Sequence, residues 1–471
     1  MKKTRSILIA TIMILSLTTL NSCQQKKAEE QPTVPEQASW VIDKFDDIKV
    51  LRYEVPGFEN LPLQQKLLVY YLAEAAKCGR DILFDQNFKY NLTVRRAVED
   101  IYTKYEGDRK AAEFVALEKY LKKIWFANGI HHHYSNDKFT PQFSREWFAE
   151  QLKGVDTGCV KHEELIEVIF NPALYPSRLN QTAGVDMIAA SAGNYYEGLT
   201  QKEVEKFYNK MIDPKDPRPI SYGLNSKLVK KNGKIYEQTY KIGGMYSEAL
   251  EQVVYWLEKA EAVAEEPLKT TIGLLIKYYK SGDLRDFDAF NISWVQDTQS
   301  NIDFVNGFIE DYGDPLGRKA SWESIVNFKD LEATKRTQLI SDNAQWFETN
   351  SPVDNRFKKE TVKGVSAKVI TAAILAGDLY PSTAIGINLP NSNWIRSAHG
   401  SKSVTIGNLT DAYNKAALGN GFNEEFVYSD EERRLIEEYD ALTGDLHTDL
   451  HECLGHGSGK LLPGVDPDAL K

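Results

Sequence analysis

The stretch HECLGH at residues 451–456 places two imidazoles and one carboxylate close together in the chain. In the common zinc-peptidase pattern, two histidines lie four residues apart on a helix, and the glutamate after the first acts as general base. Here the second histidine comes one residue later. At about 100° per residue, an i,i+5 pair lies about 140° apart around an α-helix, so both rings could not face one ion. A one-residue π-bulge would realign them, and Gly455 is the residue type best able to adopt it. The sequence therefore predicts a zinc helix with a π-helical turn.

The residue types in this stretch suit metal-assisted hydrolysis. A catalytic zinc needs three protein ligands and one open position for water. His451 and His456 would supply two of the ligands, and Glu452 would take the proton from the zinc-bound water as it attacks a carbonyl. Cys453 is expected to be a buried, inert side chain rather than a reactive thiol.

Four segments together resemble one known family. HECLGH, followed by GSGKL at 457–461, is similar to the signature of the dipeptidyl peptidase III family of zinc exopeptidases. GFIEDYGDP at 307–315 resembles the family's Phe-Ile-Glu-x-Tyr segment, GINLPN at 386–391 its Asn-x-Pro-Asn segment, and SVTIGN at 403–408 continues the match. The resemblance implies one Zn²⁺ per chain and release of dipeptides from the free N-terminus of short peptides.

The resemblance also implies roles for residues outside the zinc motif. Glu310 and Glu323 would hold the free α-ammonium of the peptide with charge-assisted hydrogen bonds. Tyr312 would donate its hydroxyl to the developing oxyanion. Asn388 and Asn391 would bind the substrate backbone as an added strand.

The fold implied by the resemblance is α+β, mostly helical, with two lobes around a cleft. One lobe is helical and holds the zinc; the other is mixed and contains a small β-barrel. Residues 39–325 would form mainly the mixed lobe. Residues 326–471 would form mainly the helical zinc lobe, with 380–408 returning to the cleft.

Local patterns agree with a predominance of helix. The Asn232-Gly233 pair predicts a type I′ hairpin within 228–242. Three consecutive histidines at 131–133 cannot all point one way, which favours a loop with packed or solvated rings. Apolar periodicity predicts helices over 61–84, 108–126 (stopped by Asn128-Gly129) and 246–280.

Length, composition and charge limit the number of domains and the kinds of partner that the chain can have. The 471 residues are enough for two or three domains, and 42% hydrophobic with 26% charged residues is ordinary for a globular protein. The formal net charge of -10 argues against a nucleic-acid partner, which usually meets a basic patch.

The N-terminus has the pattern of an export signal. Basic residues precede a largely apolar run at 7–20, which is too short to span a membrane comfortably. Residues 1–22 are therefore predicted to be a signal peptide, and 23–38 a polar tether. Cys23 ends a relaxed lipobox, so we expect an exported lipoprotein of the periplasm or cell envelope, held at the membrane by its lipid anchor alone. An ordinary cleaved signal with an incidental cysteine is the alternative.

The match to the family is incomplete. The family takes its third zinc ligand, a glutamate, from a helix further downstream than Lys471, together with a further catalytic histidine. We therefore expect that the chain is a fragment, that its helical lobe is incomplete and that residues 1–471 alone do not perform the reaction. Two other classes stay open: a non-catalytic peptide-binding lipoprotein and a zinc endopeptidase.

Overall fold

The structure is a computed structural model that describes residues 40–362, 366–381, 383–417, 421–455, 459–460 and 462. Helices and strands alternate irregularly along the chain, so the predicted α+β class is confirmed. The helices are α1 (Leu63–Cys78), α2 (Arg80–Asn87), α3 (Asn91–Lys104), α4 (Ala112–Ala127), α5 (Arg145–Leu152), α6 (His162–Phe170), α7 (Gln201–Asn209), α8 (Ser247–Val263), α9 (Leu268–Ser281), α10 (Leu284–Gln296), α11 (Leu331–Asp342), α12 (Ala344–Asn350), α13 (Asn393–His399), α14 (Gly407–Ala417), α15 (Phe422–Phe426) and α16 (Asp430–Leu450). The strands are β1 (Val41–Phe45), β2 (Ile48–Leu51), β3 (Tyr196–Glu197), β4 (Ser226–Lys231), β5 (Lys234–Thr239), β6 (Ile302–Glu310), β7 (Ser321–Lys329), β8 (Ser366–Gly377), β9 (Gly386–Leu389) and β10 (Lys402–Ile406).

A five-stranded mixed sheet in the order β6-β7-β8-β10-β9 forms the centre of the fold. Neighbouring strands are antiparallel except for β8 and β10, which are parallel. Closing this sheet into a barrel would require β6 to pair with β9. Across the described ranges these two strands are the sheet's edges, and the small β-barrel that the resemblance implied is not confirmed.

The main core lies between this sheet and four helices. α1 packs on β6, β7 and β8 and against α8, and α9 and α10 follow α8 in sequence. Trp322 and Phe308, from β7 and β6, are fully buried in this core together with Leu72 of α1 and Leu257 of α8. Each large apolar side chain buried in this way contributes roughly 1.5–3 kcal/mol. The core thus fixes β6 and β7, whose ends carry the predicted amine-binding residues.

A second core is wholly helical. It joins α3 to α6 and the loops between them, with Phe114, Leu121, Phe148 and Leu165 at its centre. The predicted helix stop at Asn128-Gly129 is confirmed, since α4 ends at Ala127 and Asn128 adopts the left-handed conformation. This body supplies the loops that later face the candidate site.

The hairpin prediction is confirmed, and two helix predictions need correction. Asn232 and Gly233 both have positive φ between β4 and β5, as a type I′ turn requires. The helix predicted over 246–280 is two helices, because Pro267 lacks an N–H donor and disfavours helix in the residue before it. The helix predicted over 61–84 is also two, α1 and α2, which meet at Gly79.

The domain boundary predicted between residues 325 and 326 falls inside β7. Residues beyond it also build the sheet, since β8 (Ser366–Gly377) lies beside β7 and precedes the 380–408 segment. The division into 39–325 and 326–471 therefore does not coincide with a break in the sheet, and the assignment of these ranges to lobes stays a prediction. Cys23 and the rest of the predicted leader and tether lie outside the described residues. Among the helices that are described, none is long and apolar enough to cross a bilayer.

Helix α16 is the least covered of the long helices. It begins with a capping box at Ser429 and Glu432, but Asp449 is its one buried residue. Leu435, Tyr439 and Leu442 share one face by their spacing and are all exposed. Within the described part of the chain, this apolar stripe has no covering element.

Gly79 is expected to tolerate no side chain. Its φ of −86° is open to any residue, but a Cβ would lie 2.2 Å from the ring of Trp322. We expect Gly79→Ala to destabilise the protein by about 1–3 kcal/mol, because Trp322 is buried and cannot move aside freely. Gly444→Ala is the matched control: it lies inside α16, where an added methyl group would meet nothing within 4 Å, so it should be neutral or stabilising. Thermal unfolding followed by circular dichroism measures both, and an unchanged Tm for Gly79→Ala would contradict the packing argument.

Candidate functional site

Three carboxylates converge where β6, β7 and β8 meet. Glu310 is the last residue of β6, Glu323 is the third residue of β7, and Asp378 directly follows β8. The residues that pair with Glu323 on the two neighbouring strands are both glycines, Gly307 and Gly377. No cross-strand side chain from those positions covers the Glu323 carboxylate.

Glu323 is a buried acid without a counterion. Its side chain is 2% exposed, and no lysine or arginine of the described residues lies within ion-pair distance of it. Burial raises the pKa of Glu323 well above its ordinary value, and the nearby Glu310 and Asp378 raise it further. Burial also raises the pKa of Glu310, although the Asn391 amide, which donates to Glu310 Oε2 at 2.9 Å, opposes this effect. A cation that binds in this cluster would stabilise the ionised form of both acids.

Tyr312 lies on the connection between β6 and β7, and Asp314 shapes that connection. Asp314 is fully buried and accepts backbone hydrogen bonds from Arg318 (2.8 Å) and Lys319 (2.9 Å), as well as the hydroxyl of Tyr196 (2.7 Å). Tyr312 itself is 76% exposed. The charge of Glu310, and then burial, raise the pKa of Tyr312, so its hydroxyl keeps its proton at neutral pH. The loop thus presents a hydrogen-bond donor beside the carboxylates.

Strand β9 offers an open edge to the same space. It pairs with β10 on one side, and in the described structure it is the last strand of the sheet. Asn388 lies on β9, and its buried Oδ1 has no hydrogen-bond partner. Asn391 follows β9 and connects its end to Glu310. An extended peptide could therefore add to β9 and find an unused side-chain acceptor there.

These residues line one pocket of about 550 Å³. The five predicted amine-site and backbone-binding residues are all among its walls, so the structure brings together Glu310, Tyr312, Glu323, Asn388 and Asn391. The opposite wall comes from loops of the helical body. The lining residues that sequence reasoning missed include Asp378, His133 and Arg178.

The missed residues carry different signals. Asp378 directly follows the apolar strand β8. A carboxylate at the end of a strand is well placed to reach a site at the edge of the sheet, so the sequence does carry a signal for Asp378. The histidines at 131–133 do form a loop, as predicted, with His131 buried and its Nε2–H donating to the Tyr175 carbonyl at 2.9 Å. His133, however, reaches the pocket, and no pattern in the sequence marks Arg178.

The predicted zinc motif begins at the end of α16. A π-helical turn spans His451–Gly455, which confirms the predicted π-helical distortion. In a π-helical turn, the residue five positions on returns to the same face, as a His-x4-His pair requires. His451 is exposed. His456 and the side chains of Glu452 and Cys453 lie outside the described residues.

Ion pairs and backbone contacts anchor this turn. Just before it, buried Asp449 accepts from Arg336 of α11 at 2.8 Å. Just after it, the Gly459 amide donates to both oxygens of Glu348 at 3.1 and 3.2 Å, and the Lys460 amide donates to the Phe357 carbonyl. The turn also packs against β8 and β10 of the main sheet.

A π-helical turn would bring the predicted ligands His451 and His456 to one face, and neutral histidine nitrogens fit the donor set of a zinc site. Within the described residues, no group of three or more His, Cys, Asp or Glu side chains is placed to hold a metal ion. The identity of a third ligand therefore stays a prediction. Chemically, the pocket can hold a cation beside an extended backbone, whereas metal binding by His451 and His456 stays a prediction.

Comparison with known proteins gives a consistent result. The model of peptidase family M49 matches residues 191–470, more than half of the chain. Dipeptidyl peptidase 3 of Dictyostelium discoideum is 26% identical over 372 residues, which cover 74% of this chain and 51% of the relative. Dipeptidyl peptidase 3 of Homo sapiens is 29% identical over 459 residues, covering 86% of this chain and 60% of the relative.

The fold agrees with a solved structure as well. Dipeptidyl peptidase III from Caldithrix abyssi superimposes with a TM-score of 0.63 at 20% identity, covering 85% of this chain and 64% of that one. This likeness establishes a shared fold. The chain spans between half and two thirds of the length of these relatives.

The stability of the protein should depend on pH through Glu323. Its folded pKa lies above the ordinary value of 4.5, so the folded state favours the protonated acid. Glu323 therefore lowers stability progressively as pH rises from about 4.5 through the folded pKa. We expect Glu323→Gln to raise Tm by a few degrees at pH 8 and to leave it unchanged near pH 4. Glu332→Gln, which changes an 86% exposed glutamate of α11, is the control and should change neither value. A Tm difference for Glu323→Gln that does not vary between pH 4 and pH 8 would count against a buried, uncompensated charge.

Proposed function

Because the chain belongs to peptidase family M49, we propose that it acts in the zinc-dependent release of dipeptides from the free N-terminus of short peptides. The observation that carries this proposal is a pair of carboxylates, the buried Glu323 and the half-buried Glu310, which have no cation partner among the described residues and lie beside the open edge of β9. Both acids have raised pKa values, so each gains from a bound cation. A peptide's α-ammonium is such a cation, and it marks the end of the chain.

Recognition of the ammonium would be the step that measures position along the peptide. Glu310 and Glu323 would accept its N–H groups in charge-assisted hydrogen bonds, with Asp378 close by. A carboxylate cluster in a low-dielectric pocket binds a cation more strongly than it would in water. An internal segment of a peptide has no such charge, so this site favours an exopeptidase over an endopeptidase.

Recognition of the backbone would come from β9. The edge strand offers its free N–H and C=O groups, and Asn388 and Asn391 add side-chain amides. Because main-chain hydrogen bonds do not depend on sequence, this mode fits an enzyme with many substrates. Asn391 also donates to Glu310, so the end of the added strand and the amine site are linked by one hydrogen bond.

The hydrolytic groups would come from the π-turn and the β6–β7 loop. His451 and His456 would hold zinc, which when bound supplies Lewis-acid polarisation of the scissile carbonyl and lowers the pKa of water. Glu452 would accept the proton of the attacking water and pass it to the leaving amine. Tyr312, which stays protonated at neutral pH, would donate its hydroxyl to the developing oxyanion.

The amine site can be tested by binding alone. We expect zinc-depleted protein, which leaves peptides intact, to bind Ala-Ala-Ala roughly 100-fold more tightly than acetyl-Ala-Ala-Ala, since acetylation removes about two charge-assisted hydrogen bonds. Glu323→Gln should lose most of this difference, and the exposed control Glu332→Gln should keep it. Isothermal titration calorimetry measures all six affinities. Equal binding of the free and acetylated peptides by the unchanged protein would rule out the amine site and leave the endopeptidase or general peptide-binding classes.

The role of Glu452 can be tested separately. Glu452→Ala should abolish release of dipeptides, because the attacking water loses its proton acceptor, while zinc content stays at one ion per chain. Mass spectrometry of the released peptides measures turnover, and atomic absorption measures the zinc content. Retained turnover in Glu452→Ala would exclude the assigned mechanism, whereas loss of zinc as well would make Glu452 a ligand.

A further inference from the structure

Helix α16, which leads into the predicted zinc motif, has little apolar contact to hold it in place. Asp449 is its one buried residue, and the π-helical turn over His451–Gly455 follows directly on the helix. Because π-helical turns are rare and most helical stability in proteins comes from tertiary packing, contacts with other elements must hold this turn. The polar contacts on either side of it therefore decide where it lies.

The first of these contacts lies two residues before the turn. Arg336 of α11 donates from its Nε to Asp449 Oδ2 at 2.8 Å, and its Nη2 lies 3.2 Å from Asp445 Oδ2. Residues four apart share one face of a helix, so one guanidinium holds two carboxylates on the same face of α16. The side chain of Asp449 is 1% exposed, which shields its ion pair from water and salt.

The second contact lies three residues after His456. Glu348 of α12 is 4% exposed, and the Gly459 N–H donates to both of its carboxylate oxygens at 3.1 and 3.2 Å. The Lys359 N–H donates to Oε1 of the same carboxylate at 2.6 Å. Hydrogen bonds to an ionised acceptor are stronger than neutral ones, so the buried carboxylate holds the backbone at Gly459 firmly.

The two contacts come from neighbouring helices that form one support. Asn343 alone separates α11 from α12, and both helices contact the π-helical turn. The turn also contacts β8 and β10 of the main sheet. The chain is thus fixed before and after the predicted motif, on a support that does not itself contain a predicted zinc ligand.

We propose that Arg336 and Glu348 are positioning residues for the zinc site, which hold the two histidine ligands in place before the metal binds. This inference rests on the proposed function, because it takes His451 and His456 as zinc ligands. The anchored residues lie two positions before the first histidine and three positions after the second, so little chain is left free on either side. Ligands that are held in advance lose less conformational entropy when the metal binds, which raises the affinity for zinc.

The test measures the zinc affinity of the protein and its variants by competition with a chromophoric chelator, well below the Tm of each. Glu348→Ala removes the acceptor of the Gly459 N–H and should weaken zinc binding roughly tenfold, as the loss of groups that support metal ligands commonly does. Glu348→Gln keeps one acceptor oxygen but loses the charge, so it should weaken binding by about threefold. Hydrogen exchange followed by mass spectrometry should be faster around Gly459 in both variants.

Asp186→Ala is the matched control. The Asp186 carboxylate also accepts three backbone hydrogen bonds, from Ile188, Ala189 and Gln201 at 3.1, 3.1 and 3.0 Å, but it does so in the connection that leads into α7. Its loss should lower Tm and leave the zinc affinity unchanged. If zinc affinity falls as much in Asp186→Ala as in Glu348→Ala, binding follows overall stability and the positioning role is overturned.

The outcomes separate this proposal from the proposed function. Zinc binding that is equally tight in the unchanged protein and in folded Glu348→Ala would overturn the positioning role and leave the zinc site standing. If Glu348→Ala fails to fold, equal affinity in Glu348→Gln would overturn it in the same way.

A different result would count against the zinc site itself. If the unchanged protein binds no zinc, both the zinc assignment and the positioning role are overturned, while faster exchange around Gly459 in Glu348→Ala would still assign Glu348 as a structural anchor of the turn. The amine site is checked independently, since zinc-depleted Glu348→Ala should bind Ala-Ala-Ala within about twofold of the unchanged protein.

Discussion

The burial of the Glu323 carboxylate constrains the surrounding structure more than any other single feature. A carboxylate that is 2% exposed and has no counterion among the described residues can ionise only at a cost to stability, and that cost must be offset by packing elsewhere. The main core supplies this packing through Trp322, the neighbour of Glu323 in β7, which is fully buried against α1 and α2. Such an arrangement is expected where ligand binding supplies the stabilisation that the buried charge removes from the free protein.

The sheet gives the proposed amine site and the proposed backbone-binding site a common frame. Glu323 lies in β7, Asp378 follows β8, and β9 is held at the far edge through β10. Each strand is fixed to the next by regular pairing, so the separation between the carboxylates and the edge of β9 cannot vary freely. A peptide held at both places would have its first residues in a defined register. Counting residues from an N-terminus requires this kind of rigidity.

Local features of the fold can be read from the sequence, whereas features that depend on distant contacts cannot. The extra residue before His456 predicts a π-helical turn from helix geometry alone, and Asn232-Gly233 predicts its hairpin in the same way. The helix break at Pro267 also follows from local rules, although apolar periodicity alone continues past it. Gly79 likewise marks the break between α1 and α2, but the reason that it cannot carry a side chain, the ring of Trp322 far along the chain, is not visible in the local sequence.

The candidate site shows the same division. Glu310, Glu323 and Asn391 are predicted because the segments around them resemble a family, and no periodicity or spacing would have selected them. Arg178 has no such segment around it, and its place in the pocket follows from loops that only the folded helical body brings to the sheet. The β-barrel was inferred from the resemblance alone, and the described sheets do not form one.

The position of the π-turn is set by the same sheet that sets the amine site. The turn packs against β8 and β10, and the Arg336–Asp449 ion pair ties its preceding helix to α11. The N-cap residue of α11 is Asp330, whose backbone N–H donates to the Val369 carbonyl of β8 at 2.9 Å. One strand, β8, therefore connects both places: it contacts the turn, and Asp378 in the pocket directly follows its last residue. The proposed exopeptidase activity would need a fixed distance between the group that holds the amine and the group that cuts, and among the described strands β8 contacts the π-helical turn and also leads into the pocket.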